Sequence, residues 1–279
     1  MERDEIVSFL VPFSYPFYEK QGYEKAYSEL HLSARREDLK AAKPSGHFRP
    51  AQIEDYEILS QIYRDFCKDK NGYTLRTKAD WSFIFKELAY DGGFLQLYLD
   101  EADAPAAYIA CLKDEKHFKV LEMAYTNDEG LSALLSFVHS HASYDSFDFI
   151  LPAKSPVPDL LGKKAKAELF PGAMARLIQI EKGLVCGLGD VKMFVDDAFL
   201  PESTGIYEEI GGKITKTDGI AWDIRIDVAS LTQLVFGYHS AKELHSLGRL
   251  TGTEDAITRL DRLYPKEENY LNLILRDDF

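Results

Sequence analysis

"FKVLEMAYTNDEGLSALLSFVHSHASYDSFDFILP", residues 118–152, decides the fold. It opens on a strand candidate, FKVLEMAY, passes into a helix candidate, NDEGLSALLSFVHSHAS, and closes on a second strand candidate, FDFILP. Upstream, Ile58, Ile62 and Phe66 recur at i, i+4 and i+8 beside Leu59 and Tyr63, which is the apolar stripe of an amphipathic helix. Trp81, Ile84, Phe85 and Leu88 form a second such stripe, and Gly92 offers its stop. GFLQLYL and AAYIACL add two strand candidates before FKVLEMAY. Helix, helix, three strands, helix, strand is an α/β order, expected to give a half-open sheet whose strands splay.

Before this block, EIVSFLV at 5–11 reads as a buried strand. In PFSYPFYEKQGYE, Pro16 can open a short helix and Gly22 can close it. YEKAYSELHLS reads as one or two strands. A strand, a short helix and a strand make a layer too small to bury its own aromatic residues, so it must dock on something else. LKAAKPSGH, at 39–47, reads as a linker because Pro44, Ser45 and Gly46 interrupt it. After PGAMARLIQI the texture changes again. VKMFVDD, TGIYEEI, KITKT and IAWDIRID are short strand candidates, and three helical stretches follow. Val228, Leu231, Leu234, Val235 and Tyr238 share one face of the first, Leu244, Leu247 and Leu250 mark the second, and Thr251 with Glu254 is the expected capping box of the third. A sheet followed by helices indicates a small α+β domain. NYLNLILRDDF, at the end, reads as strand-like.

The chain has 279 residues, 46% of them hydrophobic and 28% charged, so packed globular domains are expected. A net charge of −13 at pH 7 argues against nucleic acid as a partner, because phosphate binding needs a basic face. It suits a cationic small molecule, whose approach a negative cleft speeds. Cys67, Cys111 and Cys186 are far apart, without Cys-x-x-Cys or His-x-x-x-His, so neither a disulfide framework nor a metal site is expected. Reduced thiols fit a cytoplasmic location. No apolar run reaches the ~20 residues that span a bilayer, so no membrane is expected.

Several motifs have plain readings. In LVCGLGDVK, Lys192 stands where a dinucleotide loop needs its third glycine, so the stretch is a turn. EEIGGKI lacks the first glycine and the Ser or Thr of a phosphate loop, whose places are held by Tyr207 and Ile214. His139 and His141 point different ways on a helix and read as surface residues, and Asp196, Asp197 and Asp223 read as solvated turn carboxylates. At AYTNDEGLSALL, a GNAT (Gcn5-related N-acetyltransferase) domain would place an Arg/Gln-x-x-Gly-x-Gly/Ala loop, whose helix-end amides hold pyrophosphate. This stretch has one glycine and no arginine, and Asp128 and Glu129 would repel phosphate. It reads as that fold with an inactive cofactor loop.

PFSYPFYEKQGYE, LRTKADW with AYTNDEGLSALL, and DIRIDVASLTQLVFGYHSAKEL with the terminal DDF together resemble the Eis ("enhanced intracellular survival") family of acetyl-CoA-dependent N-acetyltransferases. The resemblance covers the whole chain. It implies an α/β and α+β architecture in three parts: 1–44 as the C-terminal part of a first GNAT domain, 45–172 as a degenerate second GNAT-like domain, and 173–279 as a sterol-carrier-protein-like domain. It implies transfer of acetyl from acetyl-CoA to a cationic primary amine, aminoglycoside-like or lysine-type, by a homo-oligomer. By motif position it implies Tyr18 as general acid, the terminal carboxylate of Phe279 as general base, Asp278 as a substrate-binding acid, and Ser14 beside the path of pantetheine. Such a pair suits the chemistry: an ammonium must lose a proton before it attacks, and a leaving thiolate must gain one. Help of this kind is worth roughly 10²–10⁴ in rate. The early strands and acetyl-CoA loop of a first GNAT domain have no counterpart before Met1, so the cofactor site is expected to be incomplete and activity impaired. The rival expectation is a non-catalytic module of sterol-carrier type that holds an apolar ligand or mediates assembly.

Overall fold

The computed structural model describes residues 5–39, 43–113, 117–272 and 274. Strand β1 (Val7–Leu10), the five-residue helix α1 (Tyr15–Glu19), β2 (Glu24–Lys25) and β3 (Ser28–Arg35) come first. β4 (His47–Pro50) leads to helices α2 (Tyr56–Cys67) and α3 (Lys78–Tyr90). Strands β5 (Phe94–Leu99), β6 (Pro105–Lys113) and β7 (His117–Tyr125) follow, then α4 (Asp128–Ser140) and β8 (Ser146–Pro152). The short α5 (Val157–Leu160), β9 (Lys166–Pro171), β10 (Met174–Leu177) and α6 (Ile180–Gly183) lead into β11 (Met193–Asp196), β12 (Gly205–Ile210), β13 (Lys213–Thr217) and β14 (Ile224–Asp227). Helices α7 (Val228–Val235) and α8 (Ala241–Ser246), β15 (Leu250–Gly252) and α9 (Glu254–Leu263) complete the described elements.

By packing, the chain forms two compact units, one from 1–28 with 171–269 and the other from 29–170 with 270–279. Residues 1–44, kept together in the sequence reading, are thus shared between the units. The cause is β3, whose Leu30, Leu32 and Ala34 pair with Leu151, Phe149 and Phe147 of β8.

The second unit is built on a seven-stranded sheet in the order β4-β5-β6-β7-β8-β3-β9. Alternation along β6 sorts its side chains by face. Ala107, Ile109 and Cys111 pack with Leu131, Leu134 and Val138 of α4. Tyr108 and Ala110 pack on the opposite face with Leu59 and Ile62 of α2 and Trp81 and Ile84 of α3. Each such leucine or isoleucine contributes about 1.5–3 kcal/mol by leaving water. Helix α3 starts at a reciprocal cap: Thr77 Oγ1 accepts from the Asp80 N–H at 3.3 Å, and Asp80 Oδ2 accepts from the Thr77 N–H at 2.6 Å. Gly92, with φ of 72°, ends it.

The first unit has two sheets, β1-β10-β2 and β13-β12-β11-β14-β15. Met193, Val195, Ile224 and Ile226 of the larger sheet pack with Leu231 and Leu234 of α7, Leu244 of α8 and Leu260 of α9 in one core. The β12–β13 hairpin closes on Gly211 and Gly212, both at positive φ, between paired Ile210 and Lys213. This two-residue turn is what "IGGK" encodes.

Four expectations need correction. β1 is not buried: Phe9 is 56% exposed, because β1 is an edge strand paired only to β10. The cap of α9 is Thr253, whose Oγ1 accepts from Ala256 N–H at 3.3 Å, rather than Thr251. Asp197 is not a solvated carboxylate, being 2% exposed and paired with Arg176. Residues 270–272 join no strand ladder. Among the described residues, no helix is long and apolar enough to cross a membrane.

Candidate functional site

Tyr18 lies in the first unit, on α1, with its ring half-exposed. Its carbonyl accepts from the N–H groups of Gln21 and Tyr23 at 2.9 and 3.2 Å, so the chain turns back directly after it. The neighbouring Tyr15 hydroxyl reaches the Pro171 and Gly172 carbonyls at 2.7 and 2.8 Å. Tyr23 shares a 2.8 Å hydrogen bond with Ser8 Oγ. The Tyr18 ring meets Phe13, Phe17 and Tyr23 edge-on at 5.3, 5.1 and 5.9 Å. Its hydroxyl finds no hydrogen-bond partner among the described residues. Ser14 is half-buried at the start of α1 and its side chain caps nothing there.

The turn below Tyr18 is fixed by a buried arginine. Arg176 donates one Nη to the Gln21 carbonyl and the other to Asp197 Oδ2 at 2.7 Å. Both charged side chains are 2% exposed. Gly22 stands at φ 78°, and a Cβ there would fall 1.6 Å from Arg176 Nη1. The guanidinium therefore occupies the space that a side chain at position 22 would need.

In the second unit, the sheet forks. β7 and β8 run parallel and pair only from His117↔Ser146 to Val120↔Phe149. Beyond that, β7 stays with β6 as far as Tyr125, while β8 stays with β3 as far as Pro152. Residues 270–272 of the same unit lie against β7 where it leaves β8. Asn272 Nδ2 donates to the carbonyl of Leu121, the first residue past the paired stretch, at 2.8 Å. Arg76 donates to the Asn272 carbonyl at 3.2 Å and makes a bidentate pair with Glu122 at 2.6 and 2.7 Å. Tyr108 hydroxyl donates to Glu122 Oε1 at 2.6 Å, and Tyr270 hydroxyl lies 3.4 Å from Oε2. The Arg76 guanidinium rests 4.0 Å from the Tyr63 ring centre and 5.0 Å from that of Trp81. Burial alone lowers the pKa of Arg76, but the Glu122 carboxylate more than reverses this, so the cation is held far above its ordinary range. Burial, reinforced by Glu122, pushes the Tyr108 and Tyr270 phenols well up.

The helix end where a phosphate would sit is filled from within. Asn127 Oδ1 accepts from Gly130 N–H at 2.8 Å, capping α4. Asp128 and Glu129 stand in the first turn, and Glu129 accepts from the Tyr98 hydroxyl at 2.9 Å and from Ser45. The glycine turn after Leu184 shows the same thing. Its Leu188 and Gly189 amides both donate to Glu209 Oε2 at 2.9 Å, which lowers that carboxyl's pKa. Neither place fits a pyrophosphate, because a carboxylate already stands at each. A cavity of about 960 Å³ is lined by Arg35, Arg36, Lys164 and Lys166. Glu37 and Asp145 line it too, and Lys164 pairs with Glu37 at 3.0 Å.

Of the residues expected at the site, Tyr18 and Ser14 lie together near α1, while Asp278 and Phe279 lie outside the described residues. No group of His, Cys, Asp and Glu able to hold a metal occurs among the described residues. The reading of sequence missed Arg76, Glu122, Tyr270 and Asn272 as a cluster. The available signal was Glu122, one carboxylate inside the apolar run VLEMA.

Comparison with known proteins agrees with this architecture. Residues 72–177 match the acetyltransferase (GNAT) domain family, and residues 185–272 match the sterol carrier protein domain family. Among solved structures, a conserved protein from Enterococcus faecalis V583, described as a probable N-acyltransferase, is 25% identical with a TM-score of 0.83. The match covers 96% of this chain and 71% of that one. A GCN5-related N-acetyltransferase from Anabaena variabilis is 20% identical, covers 97% and 73% of the two chains, and has a TM-score of 0.81. Eis1 from Mycobacterium abscessus is 19% identical, covers 96% and 73%, and has a TM-score of 0.71. Comparison with curated proteins gives no significant match. The chain thus combines a GNAT-type acetyltransferase fold with a C-terminal sterol-carrier-like domain.

Proposed function

We propose that this protein is an Eis-like N-acetyltransferase that transfers acetyl from acetyl-CoA to a cationic primary amine, aminoglycoside-like or lysine-type. The observation that carries the reading is the similarity, over 96% of the chain, to the probable N-acyltransferase of E. faecalis, the most identical of the three relatives compared. In such a transfer the amine nitrogen bonds to the thioester carbonyl carbon, the C–S bond breaks, and the thiolate takes up a proton. Tyr18 serves as the acid for that thiolate. The Phe279 carboxylate takes the proton from the ammonium, Asp278 holds the cationic substrate, and Ser14 lines the pantetheine path. A half-exposed phenol with no hydrogen-bond partner among the described residues supports the role given to Tyr18. The net charge of −13 supports a cationic substrate.

Acetyl-CoA belongs beside Ser14 and Tyr18 in this reading, as the resemblance to the Eis family implies. Copies associate through the exposed aromatic surface of Phe9, Phe13 and Phe17. Residues 1–44 continue to be read as the end of a first GNAT domain.

Acetylation assays on polyamines and aminoglycosides test the reading. Tyr18→Phe and deletion of Phe279 should each lower kcat by about 10²-fold or more. Equal rates for the wild type and both variants would remove the assigned roles. Native mass spectrometry that finds retained lipid and no CoA adduct would favour an apolar-ligand module instead.

A further inference from the structure

We infer that Arg76, Glu122, Tyr270 and Asn272 are positioning residues. They anchor the segment 270–272 against β7 where it leaves β8 and so fix the point from which the last residues of the chain depart. The inference rests on the acetyltransferase reading, in which those last residues carry Asp278 and Phe279.

A short segment outside any sheet has no ladder to hold it. Here bonds to three other elements hold it instead. The Tyr270 N–H donates to the Asn71 carbonyl at 2.9 Å. The Asn272 carbonyl accepts from Arg76, and its side-chain amide donates to Leu121, at 3.2 and 2.8 Å. Tyr270, Leu271, Asn272 and Ile274 are all buried, and Tyr270 and Ile274 join the core that α2 and α3 make with the sheet.

The Arg76–Glu122 pair is poised for this task. The pair uses two of the five guanidinium N–H groups; of the rest, Nη1 donates to the Tyr108 hydroxyl at 3.3 Å and Nη2 to the backbone carbonyl of residue 272 at 3.2 Å. Arg76 is itself held immediately before the Thr77–Asp80 cap of α3. Glu122 is held by Tyr108 and by its place in β7. The anchor is therefore built from three elements that do not depend on the tail. Leu121 lies just past the stretch of β7 paired to β8 and at the register shift between β7 and β6, and Asn272 bonds its carbonyl. The GNAT-like unit thus seats its own chain against β7.

The test is hydrogen exchange on the full-length protein, with Asn272→Ala and Tyr270→Phe as variants that keep the ion pair intact. In the wild type, peptides covering 270–272 should exchange at the slow rate of β6. In Asn272→Ala they should exchange at least about tenfold faster, with β5 and β6 unchanged. Wild-type peptides that exchange as fast as an exposed loop, or unchanged protection in Asn272→Ala, would overturn the anchor. Steady-state acetylation supplies the second readout. Asn272→Ala should lower kcat by about tenfold while KM for acetyl-CoA stays within about twofold, a split that general destabilisation would not give. A released segment with unaltered kcat would overturn the positioning role. A wild type that acetylates no amine yet protects the segment would count against the acetyltransferase reading and in favour of the anchor.

Discussion

Arg76 and Glu122 face each other in a bidentate pair at 2.6 and 2.7 Å, with side chains only 4% and 0% exposed. Two ions out of water gain little over two apolar groups of similar shape, but either ion alone is costly. Glu122→Gln leaves the guanidinium buried without its counter-charge and should cost about 3–5 kcal/mol. Arg76→Met combined with Glu122→Leu should recover most of that loss. Urea unfolding followed by Trp81 fluorescence, in a Trp222→Phe background, reads the unit concerned. A single variant costing less than ~1 kcal/mol would show that the pair is not buried as described.

Gly22 and Arg176 make a second steric claim. Alanine at 22 must adopt a φ of 78°, and its Cβ must push aside a guanidinium nitrogen 1.6 Å away. The backbone alone costs about 1–2 kcal/mol. Displacing Arg176 from the buried Asp197 adds to this. Gly22→Ala should therefore lower the melting temperature of the protein by more than Gly211→Ala, whose Cβ would meet nothing. Equal shifts in the two variants would remove Arg176 from the explanation.

The contrast between these two sites shows what a sequence displays. The apolar stripes of α2, α3 and α4 and the alternation in β6 sit within short windows, so periodicity reveals them directly. The IGGK turn is as local. Partners distant along the chain leave no such trace. Asp197 looks like a turn carboxylate until Arg176 arrives from the centre of another sheet, and residues 270–272 look like a strand until they prove to be held by Arg76, Asn71 and the Leu121 carbonyl. Only the charge in VLEMA hinted at a buried partner, and nothing local identified that partner as Arg76. The candidate site was less legible than the fold for the same reason. Tyr18 and Ser14 came from motif resemblance, and the pattern around them encodes packing of aromatic rings, which looks the same whether or not a phenol does chemistry.

The cysteines divide by burial. Cys67 and Cys111 are fully buried, and burial pushes the Cys67 thiol up to about 12 and the Cys111 thiol well up. Cys186 is exposed. Since the thiolate is the reactive species, a disulfide reagent at neutral pH should modify one thiol per chain rapidly. The other two should react at least about tenfold more slowly, and only as fast as the protein opens. Substituting Cys186→Ser should abolish the fast phase. Two fast thiols in the native protein would contradict the packing of either α2 or β6.

Glu243 gives a stability change with a defined sign. Its hydrogen bond from Lys266, at 2.7 Å, is the main reason its carboxyl falls from 4.5 to about 2, and bonds from His239 and the Ser240 N–H add to it against burial. The folded pKa lies below the unfolded one, so the stabilisation is present above the unfolded value and is lost as pH falls towards the folded value. The window therefore runs from about pH 4.5 down to about pH 2. Because the side chain is 41% exposed, solvent screening reduces the contribution to about 1 kcal/mol. Glu243→Gln keeps the shape and removes the titration. Wild type and variant should differ in urea stability by about 1 kcal/mol near pH 5, and the difference should shrink steadily as the pH approaches about 2. Many other carboxylates titrate in this range, and comparing the two proteins cancels them. A gap that stays constant across the window would show that Lys266 does not hold Glu243 in its charged form.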